Sequence, residues 1–425
     1  MASFSIPLTG LNADSTALNT IADDLSNMNT TAFKSQTTNF ADLFYQQIGF
    51  AGSGDPIQVG AGVKVSTNTT DFTQGSVSPT GNPTDVAING NGFFVLDSGQ
   101  GSTEYTRAGN FSLASTGDLV TANGLKVMGY PAVNGVVNTN APLARVNIPI
   151  GQVQQPQATT TLTMTTNLNS AAGSPAFPAQ KTVYDSLGNP HILTVTYTQT
   201  GVNQWDYSAA LPAADFAGGV SVPVTGTMNF DASGNLQSIT PGGGVLTPVG
   251  TAPAQISSIP LAFNGLADGA NNLAIHWNLY GSSQTPTVGQ VGAASAISSS
   301  DQNGFAPGQY QGFTIGSDGT VTVSYSNYQK VNVGQLALAG VANLQGLKIL
   351  GNGDYATTLA SGTASIAPSG SAGLGTLQGE ALEQSNVNIS QEFSNLIIAQ
   401  RAFEANSKTV TTFDTVTQET INMIH

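Results

Sequence analysis

Apolar residues near the C-terminus recur at a helical interval. Ile389, Leu396, Phe403, Val410, Thr417 and Ile424 step by seven, and Phe393, Gln400, Ser407, Asp414 and Ile421 follow four residues behind. That spacing predicts a coiled-coil helix with one apolar row and one mixed row. No Gly or Pro interrupts Asn388–His425, and Asn388 with Gln391 forms a capping pair at its start. A second stripe lies at the other end of the chain. Over Ser5–Met28, the positions Phe4, Leu11, Leu18 and Leu25 step by seven, with Leu8, Ser15, Ala22 and Asn29 as companions. Pro7 fits only a first helical turn, which leaves Phe4 outside. The two stripes are candidate partners, either as a coiled coil or as two amphipathic helices packed on a globular body. Ordering a residue costs about 1–2 kcal/mol, and fully burying one Leu or Phe returns about 1.5–3 kcal/mol. With about one strong apolar position per turn, a single pair gains little. The termini are therefore expected to order when many copies pack together. The candidate interface is Leu8, Leu11, Leu18, Leu25, Ile389, Phe393, Leu396, Phe403, Val410, Ile421 and Ile424.

Between the stripes the pattern turns to short alternating runs. Phe33–Gln47, with Phe40, Leu43 and Phe44, predicts a short helix, and Gly49–Gly62 a Gly-rich loop. Val63–Asn68 alternates like a strand. Asp85–Ile88 and Phe93–Leu96 flank Asn89-Gly90-Asn91-Gly92, a hairpin signal. Phe111–Leu113 and Leu119–Thr121 flank a second turn, and similar turns recur at Phe230–Leu236 and Phe313–Val321 without a fixed period. Further strand signals are Ile192–Tyr197, Leu273–Trp277, Val321–Tyr325 and Gly334–Leu338, and Ala360–Gly375 reads as a Ser/Gly/Ala linker. The expected fold is mainly β with α-helical termini, built as nested discontinuous β-domains. Terminal helices take 1–32 and 376–425, a connecting region 33–70 and 361–375, a first β-domain 71–150 and 301–360, and an inserted outer β-domain 151–300.

Composition sharpens this. Only 8% of the 425 residues are charged, against about a quarter in ordinary domains. With 49 Gly and 40% apolar residues the chain suits short strands and turns rather than disorder. The 151–300 block holds one basic residue, Lys181, and no Glu. A net charge of −14 argues against nucleic acid and anionic membrane as partners. The absence of Cys removes disulfides, thiolate nucleophiles and cysteine metal sites. Met1-Ala2-Ser3-Phe4-Ser5 lacks the basic and apolar regions of a cleaved signal peptide, and no run approaches the ~18 apolar residues of a membrane span. A secreted product would need another export route.

Of three histidines, His191 follows a turn at Asn189-Pro190 and is expected to be exposed, His276 lies in a strand beside Trp277, and His425 ends the chain. None has another His or a carboxylate at metal-ligand spacing. Gly90-Asn91-Gly92 lacks the third Gly and following helix of a dinucleotide site. Asp185-Ser186-Leu187-Gly188-Asn189 lacks the closing acid of a calcium loop and reads as a turn. Glu404 and Lys408 are a helix pair worth about 0.3–0.5 kcal/mol. No catalytic, cofactor or metal residue is assigned.

Several motifs resemble the bacterial flagellar rod and hook axial protein family. These are Leu11-Asn12-Ala13, Leu25-Ser26-Asn27 and Thr31-Ala32-Phe33-Lys34 at the N-terminus, then Asp85–Phe94 and Tyr105–Phe111. Tyr325-Ser326-Asn327, Leu338-Ala339, Ala342-Asn343 and Gly346-Leu347 are similar to its return half, and Gln384–Asn388 with Ala399–Phe403 to its C-terminal signature. The large 151–300 block and Val183–Pro190 resemble hook rather than rod members. Ala32 and Tyr328 stand where the family usually has Gly, and Val341 where an aromatic is common. The resemblance implies a structural subunit, not an enzyme, polymerising into a short, curved, hollow tube that passes motor torque from rod to filament. It implies a location outside the cell, reached through the flagellar type III export apparatus. Implied partners are other copies of the chain, the distal rod protein, the hook cap protein and the hook–filament junction protein. A distal rod protein remains the same-class alternative, and a secreted β-rich adhesin or enzyme the different one.

Overall fold

The computed structural model describes residues 5–99, 101–242, 245, 247–250, 256–281 and 285–423. It divides into two compact units. The first comprises the chain up to Ile150, Gly312–Ser324, and everything from Lys330 on. The second comprises Gly151–Gln311 and Tyr325–Gln329.

The first unit carries both terminal helices, α1 (Ser5–Ser26) and α2 (Ile389–Met423), which pack on each other. The Asn388 side chain accepts from the Gln391 amide at 3.3 Å, as an N-cap does. Gln391 does not return the bond; its side chain reaches forward to Asn395 at 3.1 Å, so half of the capping box forms. Neither described helix is long and apolar enough to cross a membrane.

The connecting region differs from the expected helix and loop. Gln36–Asp42 is a strand pairing antiparallel with Val63–Thr70, and Gln46–Phe50 pairs with Pro56–Val59. Thr37 and Thr38 face Thr69 and Asn68 across the first ladder, and such β-branched residues favour the pleat over the helix. Phe40, Phe44 and Ile48 keep a helix-like spacing, but the two ladders take them into separate strands and a connection. The glycines of the expected loop serve the hairpin, with Gly54 left-handed at φ +84° in its turn.

Phe93–Asp97 is central to the sheet of this unit, pairing with Thr103–Thr106, Lys126–Val133 and Lys330–Gly340. Val86–Asn89 does not pair with it as the hairpin signal suggested; it pairs with Thr376–Gly379. Gly90 and Gly92 hold φ of +107° and +126°, and Arg107 Nη1 donates to both their carbonyls at 2.7 and 2.8 Å. The three-residue connection Gly90–Gly92 thus crosses between sheets. The expected linker at 360–375 contains a strand, Ser365–Pro368, laid on Lys330–Gly340. The hairpin joining Ser112–Leu113 to Leu119–Val120 matches its turn signal. Phe93, Val95, Tyr105, Ala337 and Tyr355 form a local core, with Phe72 and Phe93 each within 6.0 Å of the Tyr355 ring centroid.

The second unit is built from strands, with one short 3₁₀ turn at Ala213–Asp215. Phe177–Tyr184, Pro190–Gly201, Gln204–Ala210, Val224–Phe230 and Leu236–Pro241 form one antiparallel sheet in chain order. Thr161–Asn169 organises a mixed sheet with Leu273–Asn278, Val288–Val291 and Ala296–Gln302. Burial alternates along Pro190–Gly201 and Leu273–Asn278, so one face of each sheet is apolar. Those faces share a core centred on Tyr197, Trp205, Tyr207 and Trp277. Ala32 and Tyr328, the family Gly positions, both sit at left-handed φ, +55° and +62°. That conformation is why Gly is at home there.

Candidate assembly surface

The face that α1 buries is not its leucine row. Its buried residues are Pro7, Gly10, Ala13, Thr20 and Asp24, set against α2 and the strands Gln36–Asp42 and Val63–Thr70. This seam is small and polar. A Cβ on Gly10 would lie 2.7 Å from Asn406 Nδ2. That amide donates to Asp14 Oδ2 at 2.8 Å. The Thr38 hydroxyl donates to Thr20 at 2.9 Å, and the Asp24 carboxylate accepts the Gln36 amide through both oxygens at 3.1 and 3.0 Å. Burial pushes Asp24 up to about 6, against the pull of the Gln36 bond and with help from Glu392 and Asp23.

The leucine row flanks that seam, one residue on and so about 100° around the helix. Leu8 is 54% exposed, and Leu11, Leu18 and Leu25 are half-buried. On α2, Ile389, Phe393, Phe403 and Ile421 are exposed, while Leu396 and Val410 are half-buried. Among its described residues α2 buries none. Ile424 lies outside the described residues. The single chain therefore leaves most of its heptad positions open on one side.

Sequence reasoning missed a second apolar surface. Phe44, 92% exposed, precedes the Gln46–Phe50/Pro56–Val59 hairpin, on which Ile48, Phe50, Ile57 and Val59 are also exposed. Its signal was the presence of large apolar residues inside a Gly-rich stretch. A groove of about 330 Å³, lined by Ala17, Ile21, Phe40, Ile398 and Ala402 among others, opens between α1, α2 and Gln36–Phe40.

The helices are tied to the sheet by a buried ion triad. Glu383 is fully buried; Lys34 Nζ donates to its Oε1 at 2.6 Å and Arg107 Nη2 to its Oε2 at 2.8 Å. Lys34 also donates to the Thr73 carbonyl at 2.7 Å, and the Gly75 amide donates to Glu383 at 2.9 Å. Burial lowers the Lys34 pKa, while the Glu383 carboxylate opposes that shift. The triad clamps the chain just after α1 to the strand Ala381–Glu383 just before α2.

In the second unit, the expectation that His191 is exposed is corrected. It sits in the strand Pro190–Gly201 at 6% exposure. Its Nδ1 lies 2.8 Å from Asp215 Oδ2, and its Nε2 lies 3.3 Å from Asp185 Oδ2 and 3.6 Å from Asp268 Oδ2. The strand's alternation turns His191 inward at the sheet end, and the chain brings in acids 24 and 77 residues away. Asp185 does form a turn, accepting the Leu187 and Asn189 amides at 2.8 and 2.9 Å. Burial alone would raise its pKa, but hydrogen bonding to Asp268, Asn189 and His191 holds it down at about 2.

Comparison with known proteins places these features. Three family descriptions match in order: "Flagellar hook protein FlgE/F/G D1 domain" at 87–167, "Flagellar basal body protein FlaE D2 domain" at 156–305 and "Flagellar basal body rod FlgEFG protein C-terminal" at 378–423. The flagellar hook protein FlgE of Salmonella typhimurium is 36% identical over 99% of this chain and 100% of its own length. That of Treponema pallidum is 34% identical over 98% of both chains. The crystal structure of Helicobacter pylori flagellar hook protein FlgE2 shares the fold, with a TM-score of 0.53 at 14% identity over 72% of this chain and all of that one. A chain related to hook proteins from end to end, mostly β with paired terminal helices, is a structural subunit and belongs to the flagellar hook protein family.

Proposed function

We propose that the chain polymerises through the outward sides of α1 and α2 and through the apolar hairpin at 46–59. The observation that carries this is the heptad stripe left half-open on both helices while small polar residues fill the seam between them. Half-exposed Leu and Phe side chains return about 1 kcal/mol each on full burial. Association costs about 4–15 kcal/mol in lost freedom. One neighbour's helix is therefore too little; contacts to several copies at once are needed, which favours a nucleated helical tube over a dimer. In this reading Leu8, Leu11, Leu18, Leu25, Ile389, Phe393, Leu396, Phe403, Val410, Ile421 and Ile424 form permanent contacts along the tube. The 151–300 block makes weak lateral contacts that slide as the tube bends. Its surface of Ser, Thr, Asn and Gln exchanges water-mediated bonds at low cost.

The tube is the curved hook that passes torque from rod to filament. Export through the flagellar type III apparatus, nucleation under the hook cap protein, and end contacts with the distal rod and hook–filament junction proteins complete the proposal. Electron microscopy of the concentrated full chain tests it. Curved tubes are expected from the full chain and none from Leu18→Asp or from a chain cut to residues 71–360. Straight tubes would favour a rod role. Tubes from the truncated chain would overturn the helix-driven reading.

A further inference from the structure

We propose that Asp185, His191 and Asp268 form a tripod for a single zinc-class divalent cation, with Asp215 orienting the imidazole. The ligand atoms Asp185 Oδ2, His191 Nε2 and Asp268 Oδ2 all lie within 4.8 Å of one another. Nε2 stands 3.3 and 3.6 Å from the two oxygens. Those are poor lengths for N–H···O bonds, which cluster near 2.9–3.0 Å. They match a tetrahedral edge of about 3.3–3.5 Å, which follows from metal–ligand bonds of about 2.0–2.1 Å.

The imidazole chemistry agrees. Nδ1 has the short bond, 2.8 Å to Asp215, so its proton belongs there. The groups facing Nε2 are carboxylate oxygens, so without a cation a second ring proton on Nε2 serves as their donor, toward Asp185 at 3.3 Å. A cation would take that proton's place on a ring that is more than nine-tenths buried. A cation among the three satisfies all of them. A carboxylate on the far nitrogen is the usual second partner of a metal-bound histidine.

Charge supplies an independent reason. Within the second unit six Asp face one Lys and no Arg. That Lys181 donates to the Ser300 carbonyl, 2.7 Å away. Asp185, Asp215 and Asp268 therefore have a single imidazole between them. The Asn189 amide nitrogen donates to the Oδ2 atoms of both Asp185 and Asp268, at 3.2 and 3.0 Å, and keeps these two oxygens on one side. Asp268 is partly exposed, which leaves a side for entry and for a water as fourth ligand. The ion would staple three segments that are far apart in sequence at one end of the unit.

The test uses the full-length chain, treated with a chelator and then titrated with zinc chloride by calorimetry, with cobalt(II) as a spectroscopic stand-in. Expected are one bound ion per chain, visible absorption of tetrahedral cobalt, and a midpoint of thermal unfolding about 5–10 °C higher at zinc 100-fold above its Kd. Asp268→Asn, at a partly exposed position that tolerates the change, should weaken zinc at least tenfold and remove the cobalt spectrum. Asp215→Asn should weaken it about 10–100-fold without removing a ligand. Absence of binding at millimolar zinc in the folded wild-type chain would overturn the proposal. So would binding that Asp268→Asn and His191→Gln leave unchanged, since the ion would then sit elsewhere.

Discussion

Single residues decide how the terminal helices are held. Glu383 is the one anion of a buried triad, so Glu383→Gln leaves Lys34 and Arg107 without their charge partner. Breaking a buried pair in this way costs about 3–5 kcal/mol. The loss should appear as a lowered denaturant midpoint of the full chain, and an unchanged midpoint would show that water reaches the site. Asp24 is a pH-sensitive counterpart. Its folded pKa is about 6, above the usual 3.8, so the folded chain holds the proton more tightly than the unfolded one. Stability from this group is present below pH 3.8 and is lost as pH rises from there through 6. Asp24→Asn should remove that fall, so amide exchange in α1 should differ less between pH 4.5 and 7 than in the wild type. His191 marks the limit of reading at this scale. Only Asp185 lies near it in sequence, while Asp215 and Asp268 arrive through the folding of two separate loops. Spacing rules cannot see such a cluster. Glu383, by contrast, lies one residue before Gln384–Asn388, a motif that did point to this region.

At the scale of elements, the heptads located both helices to within a residue or two. They did not tell which face is covered. A seam made by Gly10, Ala13 and Asn406 contributes little to a hydrophobic count, because close backbone approach rather than apolar area makes it. The residues that do count face the side where neighbours are expected. Gly10→Ala tests the seam directly. Its new methyl meets the Asn406 amide at 2.7 Å, and moving that amide breaks the bond to Asp14. The Asn406 side chain can swing aside, and Ala is the better helix former by about 1 kcal/mol. The net change is therefore expected to stay within about 1 kcal/mol while the Asn406–Asp14 bond is lost, read as amide exchange in α1 and α2 with the second unit unaffected. The connecting region was misread for the opposite reason. Phe40, Phe44 and Ile48 happen to keep a helical spacing, and only the Thr-rich ladder partner at 63–70 resolves the choice. The same kind of long-range pairing placed Val86–Asn89 beside Thr376–Gly379 rather than beside its neighbour in the chain.

For the whole molecule the decisive quantity is charge. The chain carries −14, and its second unit has a single Lys to offer a neighbour. Copies packed side by side in a tube therefore repel, and networks of ion pairs cannot offset that repulsion laterally. Apolar contacts and hydrogen bonds must do so. Salt screens the repulsion, with a Debye length that falls from about 30 Å at 0.01 M to about 10 Å at 0.1 M. Neighbouring units in a tube lie within that range, so raising ionic strength should strengthen assembly. The concentration of free chain left in equilibrium with tubes is expected to drop severalfold between 10 and 100 mM sodium chloride. Sedimentation of tubes at each salt concentration measures it. An ordinary tube held by surface ion pairs would respond in the opposite direction. A rise in free chain with salt would thus assign the lateral contacts to charge pairs and contradict the sliding, water-mediated surface. A drop would leave the joint free to exchange polar contacts as it turns, with the helices and the 46–59 hairpin holding register.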